Sequence, residues 1–236
     1  LSAVGHDLRT PLASIKAAAG SLRDENLRLS EADRSELAAT VEESADRLTG
    51  VVDNLLDSSR IATGAVTPEL QPVGYDEVAL LALRGLDGAE RVRLDLTDDL
   101  PEVLADPGLL ERVVANLVDN ALRHGRGSSV TLRGSVLSGS GDRGTQGDLV
   151  ELRVVDAGPG VPRGGFERLF APFQRLGDRE PRGLGLGLSV ARGFVEAMGG
   201  TLTADDTPGG GLTMTVSLPA ATSPARAVAE PAELRP

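Results

Sequence analysis

The sequence predicts an α+β protein, with a helical hairpin followed by a β-sheet that helices cover on one face. Apolar residues recur at helical spacing over residues 1–60. Short strand-like runs then alternate with helical runs up to residue 219. A hydrophobic content of 40% is enough to bury ordinary cores, so we expect both parts to fold.

The first predicted helix carries a single apolar stripe. Its members fall three or four residues apart: Val4, Leu8, Leu12, Ile15, Ala19 and Leu22. This spacing places them on one face. Pro11 removes one backbone donor, so it should kink the helix.

A second helix is predicted to begin near Ser30, which can form an N-terminal cap with Asp33. Its stripe has heptad-like steps: Leu37, Val41, Ala45, Leu48, Val52, Leu55 and Ser59. Because two helices cannot bury such a stripe against each other alone, we expect a homodimer with a four-helix bundle. A hairpin docked on the rest of its own chain is the alternative.

Shorter elements follow the hairpin. Gly64 to Gly74, with Pro68 and Pro72, predicts a linker that leads into an edge strand. Helices are expected near 75–85, 107–123 and 185–198, and strands at 91–97, 129–137, 149–156, 201–206 and 212–218. The Gly/Ser-rich stretch 138–148 predicts a surface loop. We therefore divide the chain into domains at 1–64 and 65–219 and a disordered tail at 220–236.

Composition excludes several classes of function. The chain has 24 basic and 35 acidic residues, a net charge of −11, which argues against a nucleic-acid surface. It has no cysteine, so disulfides and thiolate metal sites are impossible. No apolar run approaches the roughly 20 residues of a membrane span, so we expect no membrane contact within this chain. Because His6 is so close to the start, we expect sensor and membrane segments to precede it in the parent protein.

Five motifs stand in order along the chain. They are HDLRTPL at 6–12, NLVDNA at 116–121, DAGPG at 156–160, FAPF at 170–173 and GLGLGLS at 183–189. This series resembles the transmitter core of two-component sensor histidine kinases, over residues 1–219. Within that family, residues 182–219 and the HDLRT start are most similar to the potassium-responsive KdpD sensor kinases.

The resemblance implies a fold and an activity. The hairpin would form the dimeric bundle with the phosphoacceptor His6, and an α/β sandwich of the histidine kinase/Hsp90-like type would bind ATP. The γ-phosphoryl group would pass to His6 and then to an aspartate of a response regulator receiver domain. The resemblance also implies phosphatase activity on that regulator. It further implies that the chain is the cytoplasmic portion of a bacterial inner-membrane sensor kinase.

The candidate catalytic residues are His6, Asp7 and Thr10. His6 lies beside the apolar stripe, so its imidazole should be exposed. Asp7 can accept a hydrogen bond from the imidazole and raise the basicity of the attacking nitrogen. Thr10, one turn away, could position water for hydrolysis of the regulator's phosphoaspartate.

Asn116 and Asn120 share one face of a predicted helix, and Arg123 lies one turn beyond. An amide oxygen is a suitable ligand for Mg²⁺. The resemblance assigns the ion to Asn120, with Asn116 beside it and Arg123 and His124 near the phosphates of ATP.

Asp156 ends an apolar strand, and the glycines after it let the backbone turn sharply. The resemblance implies that its carboxylate accepts a hydrogen bond from the exocyclic amine of adenine. Other candidate nucleotide-binding residues are Gly158, Gly160, Phe173, Gly183, Gly185, Gly187 and Leu188. Glycines that lead into a helix N-terminus allow backbone amides to approach phosphate.

Polar residues 174–182 match the family's ATP lid, with Phe170 and Phe173 as its anchor. The last glycine box departs from the family's pattern, because Thr213 stands one place late after Gly209–Leu212. We therefore expect a backbone contact to nucleotide there rather than a hydroxyl contact.

Two other classes of function stay open. An ATP hydrolase of the same superfamily would use a Glu to activate water where this chain has Asn116, and an amide cannot act as that base. A dimerisation and docking module would bind nucleotide without transferring phosphate, and the intact motifs argue against it.

Overall fold

The computed structural model describes residues 2–24, 26–125, 127–137, 148–162, 165–174 and 185–221. It has the α+β architecture that the sequence predicts. A helical hairpin, residues 2–62, comes first, and an α/β unit, residues 71–221, follows it. No helix within these described ranges is long and apolar enough to cross a bilayer.

The hairpin consists of α1, Ser2–Arg23, and α2, Glu31–Ala62. The expected cap at the start of α2 is confirmed. The Ser30 hydroxyl accepts from the backbone N–H of Asp33 at 3.1 Å, and the Asp33 carboxylate accepts from the N–H of Ser30 at 2.9 Å. α1 continues through Pro11 as one helix.

The α/β unit contains two sheets. Its strands are β1 (Gln71–Val73), β2 (Val92–Asp95), β3 (Val103–Ala105), β4 (Val130–Leu137), β5 (Leu149–Val155), β6 (Thr201–Asp206) and β7 (Leu212–Pro219). β1 and β3 form a two-stranded antiparallel ribbon, and the larger sheet has the order β2-β4-β5-β7-β6. Neighbours in the larger sheet are antiparallel except β2 and β4, which are parallel. The larger sheet is therefore mixed, because a helix carries the chain across from β2 to β4.

Helices cover one face of the larger sheet. They are α3 (Tyr75–Leu83), α4 (Pro107–His124), the short α5 (Phe166–Leu169) and α6 (Gly187–Ala197). Alternate residues of the central strands point into this layer and are fully buried, among them Leu132, Leu152 and Val216. Tyr75 is buried beneath them and donates to the carbonyl of Val150 at 3.4 Å, and burial raises the pKa of its phenol.

The structure differs from the sequence expectation mainly in its shortest elements. The pattern did not predict β3, α5 or the 3₁₀ turn Ala89–Arg91, because three or four residues show no periodicity. Ala220 and Ala221, which the sequence assigned to the tail, are hydrogen-bonded to the α/β unit: the N–H of Ala220 donates to the Asp148 carbonyl and that of Ala221 to the Glu102 carbonyl. Residues 222–236, and residues 138–147 of the expected surface loop, lie outside the described residues.

Candidate nucleotide and phosphoacceptor sites

α4 positions the two asparagines at the edge of the core. Asp106 caps the helix by accepting from the N–H of Leu109 at 3.0 Å. The buried face of α4 includes Leu117 and Val118, and Asn116 and Asn120 lie half-buried beside it. Asn116 faces the start of α6, since a Cβ on Gly187 would lie 3.3 Å from its amide oxygen. Both amides therefore lie on the side of α4 that faces the glycine motif.

The end of α4 is exposed. Arg123 Nε lies 2.7 Å from the carboxylate of Asp119, one turn back, so its guanidinium is paired within the helix. His124 is exposed, but its carbonyl packs closely on Gly158, where a Cβ would lie 2.6 Å away. Gly158 thus allows the DAGPG segment to pack against the C-terminus of α4.

Asp156 is held in one orientation. Its side chain is 5% exposed. Oδ1 accepts from the backbone N–H of Gly158 at 2.8 Å and from that of Leu212 at 3.2 Å. Oδ2 makes no hydrogen bond to any described residue. One oxygen is therefore fixed by the backbone, and the other can accept from a ligand.

The altered last glycine box packs against Asp156. Gly211 has a φ of +113°, and a Cβ there would lie 2.0 Å from the backbone oxygen of Asp156. Gly160, with a φ of +70°, approaches the Gly211 carbonyl in the same way. The Thr213 hydroxyl is 2.9 Å from that of Thr207, so it is paired within its own hairpin. The pattern had not predicted that this box fixes Asp156, although three consecutive glycines do signal a close approach of backbone.

Phe173 and Gly185 lie at opposite ends of the expected lid. The Phe173 N–H donates to the Gly185 carbonyl at 3.1 Å. Phe173 is unusual in that its φ is +63° and its ring is 49% exposed. A Cβ on Gly185 would lie 2.4 Å from the carbonyl of Gln174, so glycine is required at this crossing. Gly183 lies outside the described residues, and Leu188 is half-buried in the first turn of α6.

α6 begins without a side-chain cap among the described residues. Its first backbone N–H groups, as in every α-helix, have no intrahelical partners. A helix N-terminus of this kind favours an anion. Phosphate groups near Gly185 and Gly187 would meet this terminus.

The phosphoacceptor candidate lies on the hairpin, in a different part of the fold from these residues. His6 is exposed on α1, whereas Asp7 is 2% exposed. Adjacent helical residues do not face each other, so the two side chains occupy different environments. The Thr10 hydroxyl donates to the carbonyl of His6 at 3.1 Å, which leaves its lone pairs able to accept.

A metal ion bound here would be coordinated by side-chain amide oxygens and by oxygens of the bound nucleotide. No cluster of three or more His, Cys, Asp or Glu residues suited to a metal ion occurs in the described part of the chain. Mg²⁺ commonly takes one or two protein oxygens and fills its other positions with phosphate oxygens and water. The half-buried Asn120 fits that mode of binding.

Comparison with known proteins identifies both parts of the chain. Residues 1–64 match the His Kinase A (phospho-acceptor) domain, and residues 105–222 match the histidine kinase-, DNA gyrase B-, and HSP90-like ATPase family. The chain belongs to this ATPase family and, with its phosphoacceptor domain, is the transmitter core of a sensor histidine kinase.

Similar proteins identify a narrower group within the sensor histidine kinases. The chain is 50% identical to the sensor protein KdpD of Mycobacterium tuberculosis (strain CDC 1551 / Oshkosh) over 93% of its length. It is 33% identical to that of Escherichia coli (strain K12) over 95% of its length. It is thus homologous to the KdpD sensor kinases and spans 26% and 24% of those two relatives.

Two solved structures share its fold. Full-length ShkA in complex with AMPPNP is 27% identical, with a TM-score of 0.65 over 92% of this chain and 45% of that one. The histidine kinase AdeS of Acinetobacter baumannii has a TM-score of 0.64 at 23% identity, over 91% of this chain and 98% of that one.

Proposed function

We propose that this chain transfers the γ-phosphoryl group of ATP to His6 and then to an aspartate of a response regulator receiver domain. The observation that carries the proposal is the combination of an exposed His6 in a phosphoacceptor domain with an Asp156 whose Oδ2 is open to a ligand. ATP would bind with its adenine amine donating a hydrogen bond to Asp156 Oδ2. Its phosphates would lie between the amides of α4 and the start of α6.

In the first transfer, a neutral imidazole nitrogen of His6 attacks the γ-phosphorus. An N–P bond forms as the bond to the β,γ-bridging oxygen breaks, ADP leaves, and the ring N–H proton is lost to solvent. A Mg²⁺ ion held by Asn120 would neutralise phosphate charge during this step. The chain's own contribution is to position the reactants and to keep the imidazole accessible.

In the second transfer, a receiver carboxylate attacks phosphohistidine, and the N–P bond breaks as an acyl phosphate forms. The reverse task is hydrolysis of that acyl phosphate. It would use a water molecule that donates a hydrogen bond to the Thr10 hydroxyl oxygen. We assign the chain to the cytoplasmic part of a membrane-bound KdpD-type sensor that responds to potassium or osmotic conditions, because its homologues are sensor proteins of that name.

Steady ATP hydrolysis is the rival function, and the amide of Asn116 disfavours it because an amide cannot take a proton from water. Incubation with γ-labelled ATP separates the alternatives. A histidine kinase acquires an acid-labile, base-stable label on protein, a hydrolase releases labelled phosphate instead, and a docking module does neither. Phosphate release without labelled protein would overturn the proposal.

A further inference from the structure

Residues 170–174, which we call the FAPF turn, follow α5 and contact α6 at two points. The first contact is the bond from the Phe173 N–H to the Gly185 carbonyl at 3.1 Å. The second lies in the second turn of α6, where the guanidinium carbon of Arg192 is 5.3 Å from the centroid of the Phe170 ring. The FAPF turn is therefore attached both before and within α6.

Glu196 holds Arg192 in place over this ring. Nε of Arg192 donates to the Glu196 carboxylate at 2.7 Å, one turn along the same helix. Phe170 is half-buried and packs against the core, so the guanidinium covers part of the ring that the core leaves open. A cation over an aromatic ring is attracted by the negative charge on the face of the ring. Arg192 thus joins α6 to the FAPF turn through a contact that depends on its charge.

The backbone of the FAPF turn needs such contacts. Phe173 has a φ of +63°, in the left-handed region that residues other than glycine rarely adopt. A conformation of this kind persists only where neighbouring structure fixes it. The Phe173 ring is 49% exposed, so packing of this side chain does little to fix it. The bond to Gly185 and the contact of Phe170 with Arg192 can do so.

The FAPF turn also touches the glycine motif that leads into α6. A Cβ on Gly185 would clash with the carbonyl of Gln174, so the two backbones are in direct contact. Movement of the FAPF turn would therefore change the backbone at the start of α6, to which we assign the phosphates of ATP. A site that is already ordered binds its ligand more tightly, because binding does not have to supply the free energy of ordering.

The contacts of Arg192 add little to the stability of the whole fold. The side chains of Arg192 and Glu196 are 50% and 56% exposed. Exposed ion pairs and cation–π contacts contribute little to the free energy of unfolding. The packing of α6 depends instead on its buried residues, which are Val190, Ala191, Phe194 and Val195. Loss of the Arg192 side chain should therefore leave the protein folded, so that a local effect on nucleotide binding can be measured.

We propose that Arg192 is a positioning residue for ATP, because it holds Phe170 on α6 and so keeps the FAPF turn and the start of α6 ordered before nucleotide binds. Without Arg192, the FAPF turn separates from α6 in the nucleotide-free protein, and ATP has to restore the contact. The inference rests on the proposed function for its ATP site, but the position of the Phe170 ring can be measured without nucleotide.

Calorimetric titration with ATP tests the proposal. Arg192→Gln should weaken ATP binding about threefold to fivefold, the range expected from loss of one exposed cation–π contact. Arg192→Lys keeps a cation without the planar guanidinium and should recover part of this loss. Arg168→Gln removes an exposed arginine of α5, so it is the matched control and should bind ATP like the unaltered chain. Unchanged ATP affinity in Arg192→Gln would overturn the proposal.

A tryptophan at position 170 reports the position of the ring itself. The chain has no tryptophan, so Phe170→Trp gives a single emission signal. Adding Arg192→Gln should make this tryptophan more accessible to quenching by acrylamide in the nucleotide-free protein, and saturating ATP should reverse the increase. Equal quenching with and without Arg192 would show that Arg192 does not hold the ring. An increase that ATP leaves in place would show that the ring is not coupled to the nucleotide site. Either result would overturn the proposal.

The outcomes separate this inference from the proposed function. If the unaltered chain binds no ATP, both fail. If it binds ATP without acquiring the label, only the proposed function fails, and the titrations still decide the role of Arg192. In a chain that labels, Arg192→Gln should raise the ATP concentration for half-maximal labelling by the same factor as the dissociation constant, with the maximal rate nearly retained. A lower maximal rate with an unchanged dissociation constant would place Arg192 in the transfer step and overturn the inference.

Discussion

The Asp156 carboxylate accepts a hydrogen bond from the backbone N–H of Leu212 at 3.2 Å, across 56 positions of sequence. A second bond joins the same strands, because the N–H of Asp156 donates to the Leu212 carbonyl at 3.0 Å. The last glycine box thus fixes the orientation of the carboxylate that we assign to adenine. The departure of this box from the family's sequence pattern does not affect that contact, because the box contributes only backbone atoms to it.

Asp156→Asn should weaken ATP binding about tenfold to a hundredfold, because loss of a hydrogen bond in a buried site costs roughly 1–3 kcal/mol. The amide oxygen would stay with the two backbone N–H groups, and the NH₂ would then face the adenine amine. Inosine triphosphate has an oxygen at that position, so its affinity should rise relative to that of ATP. Titration of both nucleotides checks this, and an unchanged ratio of affinities would remove Asp156 from adenine recognition.

Thr10→Ala should separate two activities. Because the hydroxyl donates to the His6 carbonyl, its lone pairs can accept from a hydrolytic water. We expect dephosphorylation of the phosphorylated regulator to slow about tenfold or more, with autophosphorylation nearly intact. Thr10→Ser keeps the hydroxyl and should retain both activities. Equal losses of both in Thr10→Ala would show that Thr10 is structural.

The hairpin should dimerise through apolar side chains that are exposed in the single chain. Leu12 is 58% exposed and Leu56 is 54% exposed. Light scattering at concentrations on the order of tens of micromolar should report a dimer, and Leu12→Glu with Leu56→Glu a monomer. Leu80→Glu, on the equally exposed surface of α3, should stay dimeric. A monomeric native chain would contradict the bundle.

The packing of α2 on the α/β unit at Asp57 and Arg112, which we call docking, should strengthen as pH falls. The charged groups that act on Asp57 are Arg112 from α4 and Arg60 and Asp53 from α2. Because burial raises the Asp57 pKa in the docked form, that form binds the proton more tightly than the released form does. Docking is therefore favoured below the raised pKa and weakens as pH rises through it. Single-molecule energy transfer between labels on α2 and α6 should show this trend, and Asp57→Asn should abolish it.

The sequence predicted the long elements and the motif positions, because extended periodicity and glycine clusters are local signals. It predicted the cap at Ser30 and the exposure of His6 for the same reason. It could not predict the bond from Leu212 to Asp156, which depends on strand register between distant segments. Nor could it predict Arg112 beside Asp57, since a buried ion pair between two helices leaves no periodic trace.

His6 is the residue that we expect to receive the phosphoryl group from ATP. The chain has two histidines, so mapping an acid-labile, base-stable label distinguishes His6 from His124. We expect the label from γ-labelled ATP to lie on His6. His6→Gln should abolish labelling and leave ATP affinity nearly unchanged, because the two sites lie on separate parts of the fold. Normal labelling of His6→Gln, or a label on His124, would contradict it.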